Sequence, residues 1–555
     1  MPQANQKLSN LQVLLIALLA LLIPVAWIEW RVLHYTHGVM AYPLDDTFIH
    51  MAIAKNLLVN HVWGITKFGF ESASSSPFYT VLMTGLFKIF GVHTVILLII
   101  NIIAGMLFLW AAQRWLQRQG LSTLSQLIIL LLVNFLTPLP LLVISGMEHT
   151  FQLLFCFLFI IAVADVVEKL PAAPGSAPVA AAPAAPGSPP HTFLRLLYSL
   201  YLFGALMVAT RYECLSILGL GCLLLFIRGW RWPAISVGAV GVLPIFIFGL
   251  YAMSKGSYFM PNSVLLKSSV PTSAHGLVQF LAEDLWFKLF FSPRDYNFLA
   301  AQRLLLLLPL FYLLFLPRVR ERAGYRYMLI ILMGATLAHI AFAYPSRFPR
   351  YEDYLVGCSV TLMGAMVAKY YRELPMIRIK GGEWIAVAVL IILLIPLFIR
   401  SEKVFRKAKQ YCVNVYEQQY QLSQFVHTYY DSTPVAFNDI GAISFYSRGD
   451  KLDLWGLASV EVAKSKRQHY FSPALLDSLT HEHGVRLAIL FDTWFDPALL
   501  HRWTKVASWH NQNNVILGDD SVSFFSIEAA DTTVLRKNLE EYETRLPKGV
   551  GVSYY

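Results

Sequence analysis

Two adjacent carboxylates, Asp45 and Asp46, stand a short way beyond the end of an apolar segment, 11–33. Ionisable side chains kept beside a membrane span are costly and mark a site by default. A pair of this kind could serve as a general base, as a ligand for a divalent cation, or as both. A plainer reading has equal weight, because Asp46 precedes Thr47-Phe48-Ile49 where a helix N-cap is expected. More polar groups follow at wide spacing: His50, Glu148, His149, Arg211, Glu213, Asn262, Lys267, Arg347, Arg350 and Tyr351. No single one of them is informative, but together they could form a site for an anionic substrate.

The elements that must position these residues are apolar. The 555-residue chain is 56% hydrophobic and only 14% charged, where a soluble protein carries about 25% charged residues. Its mean hydropathy is +0.54, which makes it a polytopic membrane protein. Eleven segments are long enough to read as spans: 11–33, 92–113, 121–143, 150–168, 193–210, 213–228, 232–253, 302–317, 327–344, 352–370 and 383–400. The stretch 77–90 is too short to cross and reads as an interfacial helix.

The net charge of +10 does not point to nucleic acid, because many basic residues fall in short loops between apolar segments. Arg114 and Arg118, Lys169, Arg228 and Arg231, Arg318 to Arg322, and Lys369 to Lys380 fall on one side, assigned with the N-terminus to the cytoplasm. The polar residues enumerated above then gather on the opposite face. Arginine and lysine there run against the positive-inside trend, and a phosphate at the membrane surface would account for them. The five cysteines are read as packing residues.

Several short motifs occur in a fixed order along the chain: Asp45-Asp46-Thr47-Phe48-Ile49, Asn56-Leu57, Ser75-Ser76-Pro77-Phe78, Ser145-Gly146-Met147-Glu148, Arg211-Tyr212-Glu213, Pro261-Asn262-Ser263 with Lys267, and Arg350-Tyr351. In this order, and on a common side of the membrane, they resemble the GT-C superfamily of membrane glycosyltransferases. The pattern is similar to the bacterial branch that includes the mycobacterial arabinofuranosyltransferases. In the tail, Asn438-Asp439-Ile440-Gly441-Ala442 and Asp453-Leu454-Trp455-Gly456-Leu457 resemble the outer domain often appended in that branch. Two departures are Arg-Tyr-Glu in place of Arg-Pro-Glu, and Tyr354 after Glu352-Asp353. They bear on the donor sugar more than on the reaction.

The resemblance implies an all-α polytopic membrane domain over 1–400, with a C-terminal extracytoplasmic α/β domain over 401–555. It implies a bacterial cytoplasmic membrane enzyme that takes a sugar from a polyprenyl-phosphate carrier. The sugar would pass to a hydroxyl of a cell-envelope glycan, lipid or protein outside the bilayer. Asp45 is then the expected base: it precedes the capping position, leaving its carboxylate uncommitted, and an ordinary aspartate of pKa about 3.9 is ionised at neutral pH. Asp46 would cap the helix, orient Asp45 or bind a divalent ion, with His50 and His149 as further metal candidates. Arg211, Lys267 and Arg350 would meet the leaving phosphate, and Glu148 would bind the acceptor or assist the base. Glu213, Asn262, Tyr351 and His50 complete the expected substrate site. The competing class is a transporter or flippase for a lipid-linked glycan. Such sites lie at the bilayer midplane on repeated, broken helices; the sequence has no evident repeat and its ionisable groups gather at one face.

In the tail, a helix is expected over 404–428, strands near 435–437, 487–491 and 522–527, and a closing helix over 533–546. Asn438 to Gly441 should form a strand-to-turn junction in which glycine permits a close backbone approach. The segment 171–190 is a Pro/Ala/Gly linker that cannot build a core. Replacing it by a short Gly/Ser turn should leave insertion and activity nearly intact, as measured by yield of folded protein and by turnover.

Overall fold

The computed structural model describes residues 8–169, 190–267, 316–343, 348–371 and 382–555, with isolated positions between 278 and 312. The expected linker, Arg347 and most of the expected span 302–317 lie outside the described residues, as does the side chain of Lys267.

Helix α1 (Asn10–Tyr35) starts at Ser9, whose hydroxyl accepts the Gln12 amide in a capping box. Val13, Ala17, Leu21, Val25 and Val32, at helical spacing, are buried on one edge. Leu15, Leu19, Ile23 and Trp27 are half exposed on the other, a lipid-facing pattern. Next come α2 (Asp46–Asn60) and α3 (Pro77–Phe90). The second begins with Ser76 accepting the Tyr79 amide and Pro77 in its first turn, and ends at Gly91. Then follow α4 (Val95–Arg118), α5 (Thr123–Leu136), α6 (Leu139–Ile144), α7 (His149–Lys169), α8 (Pro190–Thr210), α9 (Leu215–Ile227), α10 (Arg231–Ser254) and α11 (Asn262–Lys267).

Among the described residues, six helices are long and apolar enough to cross a membrane: α1, α4, α7, the Phe193–Thr210 part of α8, α10, and the helix Ala323–Phe342. Eleven spans are therefore not established. The expected span 121–143 is two helices, α5 and α6, separated at Thr137-Pro138, where Pro138 leaves helical geometry and has no backbone N–H to continue the ladder. The expected span 213–228 is the 13-residue α9 preceded by a short 3-10 turn.

The chain does not pause at residue 400. One helix, Gly382–Val415, runs 34 residues from the apolar segment into the tail, followed by a π-helical turn (Tyr416–Tyr420) and a helix Gln421–Tyr429. Beyond it lies a mixed sheet of strands β1 (Val435–Phe437), β2 (Lys451–Asp453), β3 (Leu487–Leu490), β4 (Thr504–Asn511), β5 (Ser521–Ser526) and β6 (Val550–Tyr554). Its order is β2-β1-β3-β5-β4-β6, parallel from β2 to β3 and antiparallel thereafter. The closing helix is Thr532–Glu543. Phe425 from the long helical entry packs on Trp509, Phe524 and Tyr542, which seats the helix on one face of the sheet.

Arg400, fully buried in the long helix, ties that helix to the end of α5 and to the start of the helix Asp353–Tyr370. Its guanidinium donates to Glu352 at 2.9 Å, to Asp353, and through Nη1 to the Leu136 carbonyl at 3.2 Å. Removing one partner of a buried pair strands the others, so Arg400→Met should cost about 3–5 kcal/mol. Thermal unfolding of the purified protein in detergent would read this as a marked fall in midpoint.

Candidate functional site

The site is assembled from the loops at one end of the helical bundle. The turn between α6 and α7 carries Ser145-Gly146-Met147-Glu148. Gly146 has φ +63°, and a Cβ there would fall 2.4 Å from the Tyr42 ring, so glycine is required both for the backbone and for the space. Tyr79 donates to the Gly146 carbonyl at 2.7 Å and pins the turn to α3. Glu148 is thereby placed inside the protein. Its Oε1 accepts from Arg211 Nη1 at 2.9 Å, and its Oε2 lies 3.3 Å from His50 Nε2. Burial alone would raise the Glu148 carboxyl, but His50, His149 and Arg211 outweigh it and hold the group well below the carboxylate range.

Arg211, at the end of α8, is the hub. It donates from Nε and Nη2 to the two oxygens of Glu213, at 3.0 and 2.5 Å, and from Nη1 to Ser75 Oγ at 3.0 Å. Glu213 too is held below its ordinary value, burial being offset by this bidentate guanidinium. Tyr351 meets two arginines: the Arg211 and Arg350 guanidiniums sit 5.1 and 4.8 Å from its ring centroid. Arg350 Nη2 donates to Asp46 Oδ2 at 2.7 Å and to the Tyr351 hydroxyl at 3.1 Å. Its Nε and Nη1 are buried without a hydrogen-bond partner among the described residues.

The aspartate pair is arranged differently from expectation. The position before the helix is occupied by Asp45, whose side chain makes no capping bond, and Asp46 is the first helical residue. Nor is Asp45 uncommitted. Its Oδ2 accepts the Gly441 amide at 2.6 Å and its Oδ1 the Ala442 amide at 2.8 Å, which joins the helical core to the C-terminal domain. The approach is close enough that a Cβ on Gly441 would fall 2.1 Å from the Asp45 carbonyl oxygen. Burial, and then Asp439, push the Asp45 carboxyl well above the ordinary range. Both of its oxygens are therefore committed to backbone amides rather than open to a substrate hydroxyl. Asp46, turned the other way, is the member of the pair that faces the larger space.

That space is a cavity of about 540 Å³. Asp46, His50, Arg211, Glu213 and Tyr351 form its polar end, and Ile49, Leu215, Met260, Val264 and Phe342 contribute apolar wall. Asn262 is not in this wall. Its amide donates to the Ala458 carbonyl at 3.4 Å and its backbone N–H to Ser72, so it ties α11 to neighbouring segments. His149 is buried against Tyr351, with ring centroids 5.6 Å apart. Among the described residues no group of three or more His, Cys, Asp or Glu side chains is placed to hold a metal ion. Asp46 faces Arg350 and His149 faces Tyr351, so these candidates do not form a donor set. His339, Ser216 and Tyr354 also line the cavity. No sequence pattern marks His339, since a lone histidine in an apolar helix reads as scaffolding.

The family described as "Domain of unknown function (DUF8728)" matches residues 410–525. No match was found among curated proteins. The structure is similar to that of ArnT from Cupriavidus metallidurans bound to undecaprenyl phosphate, with a TM-score of 0.51 and 11% identity over 92% of this chain and 98% of that one. The apo state of ArnT aligns at 0.49 with 10% identity, over 94% and 99% of the two chains. The first likeness shows that the chain shares its fold with ArnT. It does not support the narrower arabinofuranosyltransferase branch.

Glu71, in the loop that delivers Ser74 to Ser76, is pushed up to about 8. Burial is the main cause, opposed by the Thr66 amide that donates to its Oε2 at 3.0 Å and reinforced by Asp453. The native protein thus keeps a proton that the unfolded chain releases near its ordinary value of 4.5. Stability should be greatest below that value, decline as the pH rises to about 8, and then level off. Unfolding midpoints measured across this range should show the decline, and Glu71→Gln should flatten it.

Proposed function

We propose that the chain is an integral membrane glycosyltransferase. It moves a sugar from a polyprenyl-phosphate carrier to an acceptor hydroxyl at the outer face of the cytoplasmic membrane. The observation that carries this reading is the 540 Å³ cavity, whose wall is largely apolar and also holds two carboxylates, Asp46 and Glu213, and the Arg211 guanidinium. A long hydrocarbon with a phosphate-sugar head has that distribution of polarity. The undecaprenyl phosphate bound to ArnT, which shares the fold, supports the same choice of carrier.

In this mechanism the acceptor oxygen forms a bond to the anomeric carbon while the bond from that carbon to the phosphate oxygen breaks. The bonding pair leaves with the phosphate, and the hydroxyl proton passes to a base. Asp46 replaces Asp45 as that base, because it faces the cavity and Arg350 orients it through a hydrogen bond to Oδ2. Arg350, with two guanidinium nitrogens still to be satisfied, and Arg211 stabilise the departing phosphate. Each charge-assisted contact of this kind contributes about 1.5–3 kcal/mol. Glu148 and Glu213 keep Arg211 charged and oriented. Lys267 stands on α11 as a third candidate for the phosphate.

Asp46→Asn should lower single-turnover sugar transfer at saturating donor by about 10²–10⁴ while binding of undecaprenyl phosphate survives. Asp45→Asn should act on the joint instead, lowering the unfolding midpoint more than it lowers the rate in the folded fraction. A normal rate for Asp46→Asn would remove it as the base.

A further inference from the structure

The helices that carry the site also have a far end, where positive charge gathers. α7 begins at His149, beside Glu148, and α8 ends just before Arg211, so both meet the site at one end. Each is 21 residues long. At about 1.5 Å per residue that is about 30 Å, the depth of a hydrocarbon core. Lys169 at the close of α7 and Arg195 in the second turn of α8 therefore sit at the opposite face of the bilayer. Arg118, the last residue of α4, joins them there through Asp165.

These three cations line a cleft of about 430 Å³ between α4, α7 and α8. Asp165 is the carboxylate of its wall among the described residues, and it is already shared: Lys169 Nζ lies at 2.7 Å and Arg118 Nη1 at 3.5 Å. Glu168 is not in that wall. It packs against the helix Ala323–Phe342, where a Cβ on Gly324 would fall 2.4 Å from its Oε1. No carboxylate among the described residues pairs with Arg195, which is exposed. The cleft thus carries more positive than negative charge, and Arg195 is the cation left to meet an anion.

Beyond the charges the surface is apolar. Leu158, Ile161 and Ala162 precede Asp165 and Lys169 on one stripe of α7, and Leu196 and Phe203 of α8 complete the wall. A second groove of about 460 Å³ follows the outer face of α8 past Leu194, Tyr198 and Leu202, which are 46–66% exposed. Arg195 and Ser199 line both spaces, so two apolar tracks meet beside one guanidinium.

We infer that this cleft binds an anionic phospholipid, with its phosphodiester held by Arg195 together with Arg118 and Lys169 and its two acyl chains in the two grooves. The charge selects the headgroup. A phosphodiester without an amine brings the anion that Arg195 lacks, and the guanidinium fork fits two phosphate oxygens. A zwitterionic headgroup would bring an ammonium against the same cations. The grooves select a lipid over free phosphate, because only hydrocarbon gains by covering apolar wall. Basic clefts between membrane helices are suited to such headgroups. The inference concerns the membrane face away from the reaction and does not depend on the transferase reading.

The test uses the full-length protein, stripped of lipid in a non-ionic detergent and titrated with dioleoylphosphatidylglycerol or dioleoylphosphatidylcholine. Bound lipid is counted by native mass spectrometry. Phosphatidylglycerol should fill one site about tenfold more tightly than phosphatidylcholine, and Arg195→Gln should remove about that factor. Arg118→Gln, on a separate helix, should weaken the same site and serves as the test if the first variant does not fold. Unchanged unfolding midpoints in lipid-free detergent identify the folded variants. Equal affinity for the two lipids, or a preference that survives both substitutions in folded protein, would overturn the proposal. Displacement of the phosphatidylglycerol by millimolar inorganic phosphate would overturn it too, by assigning the cleft to the free ion.

Discussion

A guanidinium taken out of water must be met on every edge that could otherwise reach solvent, and Arg211 shows what that demands. It is 7% exposed and is bonded by Glu213 on two nitrogens and by Glu148 and Ser75 on a third. Those partners come from three separate segments, so their backbones cannot drift without stranding a charge in a medium of low dielectric. Glu148 is in turn held by His50 from α2, and His50 lies within hydrogen-bond distance of Ser74 and Thr80. The motifs that are dispersed along the chain are therefore one electrostatic unit in space.

Arg350 makes the informative contrast. It is as deeply buried as Arg211 and stacks on the same tyrosine, yet only one of its three nitrogens is engaged. Arg211 is held by its neighbours on every nitrogen, whereas Arg350 keeps Nε and Nη1 without a partner among the described residues. The difference between two arginines of the same exposure is thus a difference in what each can still do.

The aspartate pair acquires its division of labour from the joint between the two halves. Successive residues at a helix start project about 100° apart, so Asp45 and Asp46 cannot serve the same neighbour. Once Asp45 accepts the amides of Gly441 and Ala442, Asp46 must face Arg350 and the cavity. The same joint lays the C-terminal domain over the site, held also by Lys55 on the Phe445 carbonyl at 2.8 Å and by Asn414 on the 513–515 loop.

Much of this was legible in the chain. Apolar length and loop charge determined a membrane protein; α3 and α7 came out close to their expected bounds, because periodicity and capping are local properties. The strands β1, β3 and β5 were readable as buried apolar runs, whereas β2, β4 and β6 were not, since Lys451, Lys505 and Gly551 break the pattern that marks a strand. Motif order gathered Glu148, Arg211, Glu213, Arg350 and Tyr351 correctly into one neighbourhood. What only the tertiary structure decided was direction. Whether Asp45 or Asp46 faces the cavity depends on Gly441, some 396 residues away, and whether Asn262 binds a ligand or a backbone depends on Ala458. Residue type and spacing fix what a side chain is able to do; which partner arrives first to satisfy it is a property of long-range packing, and no local pattern records it.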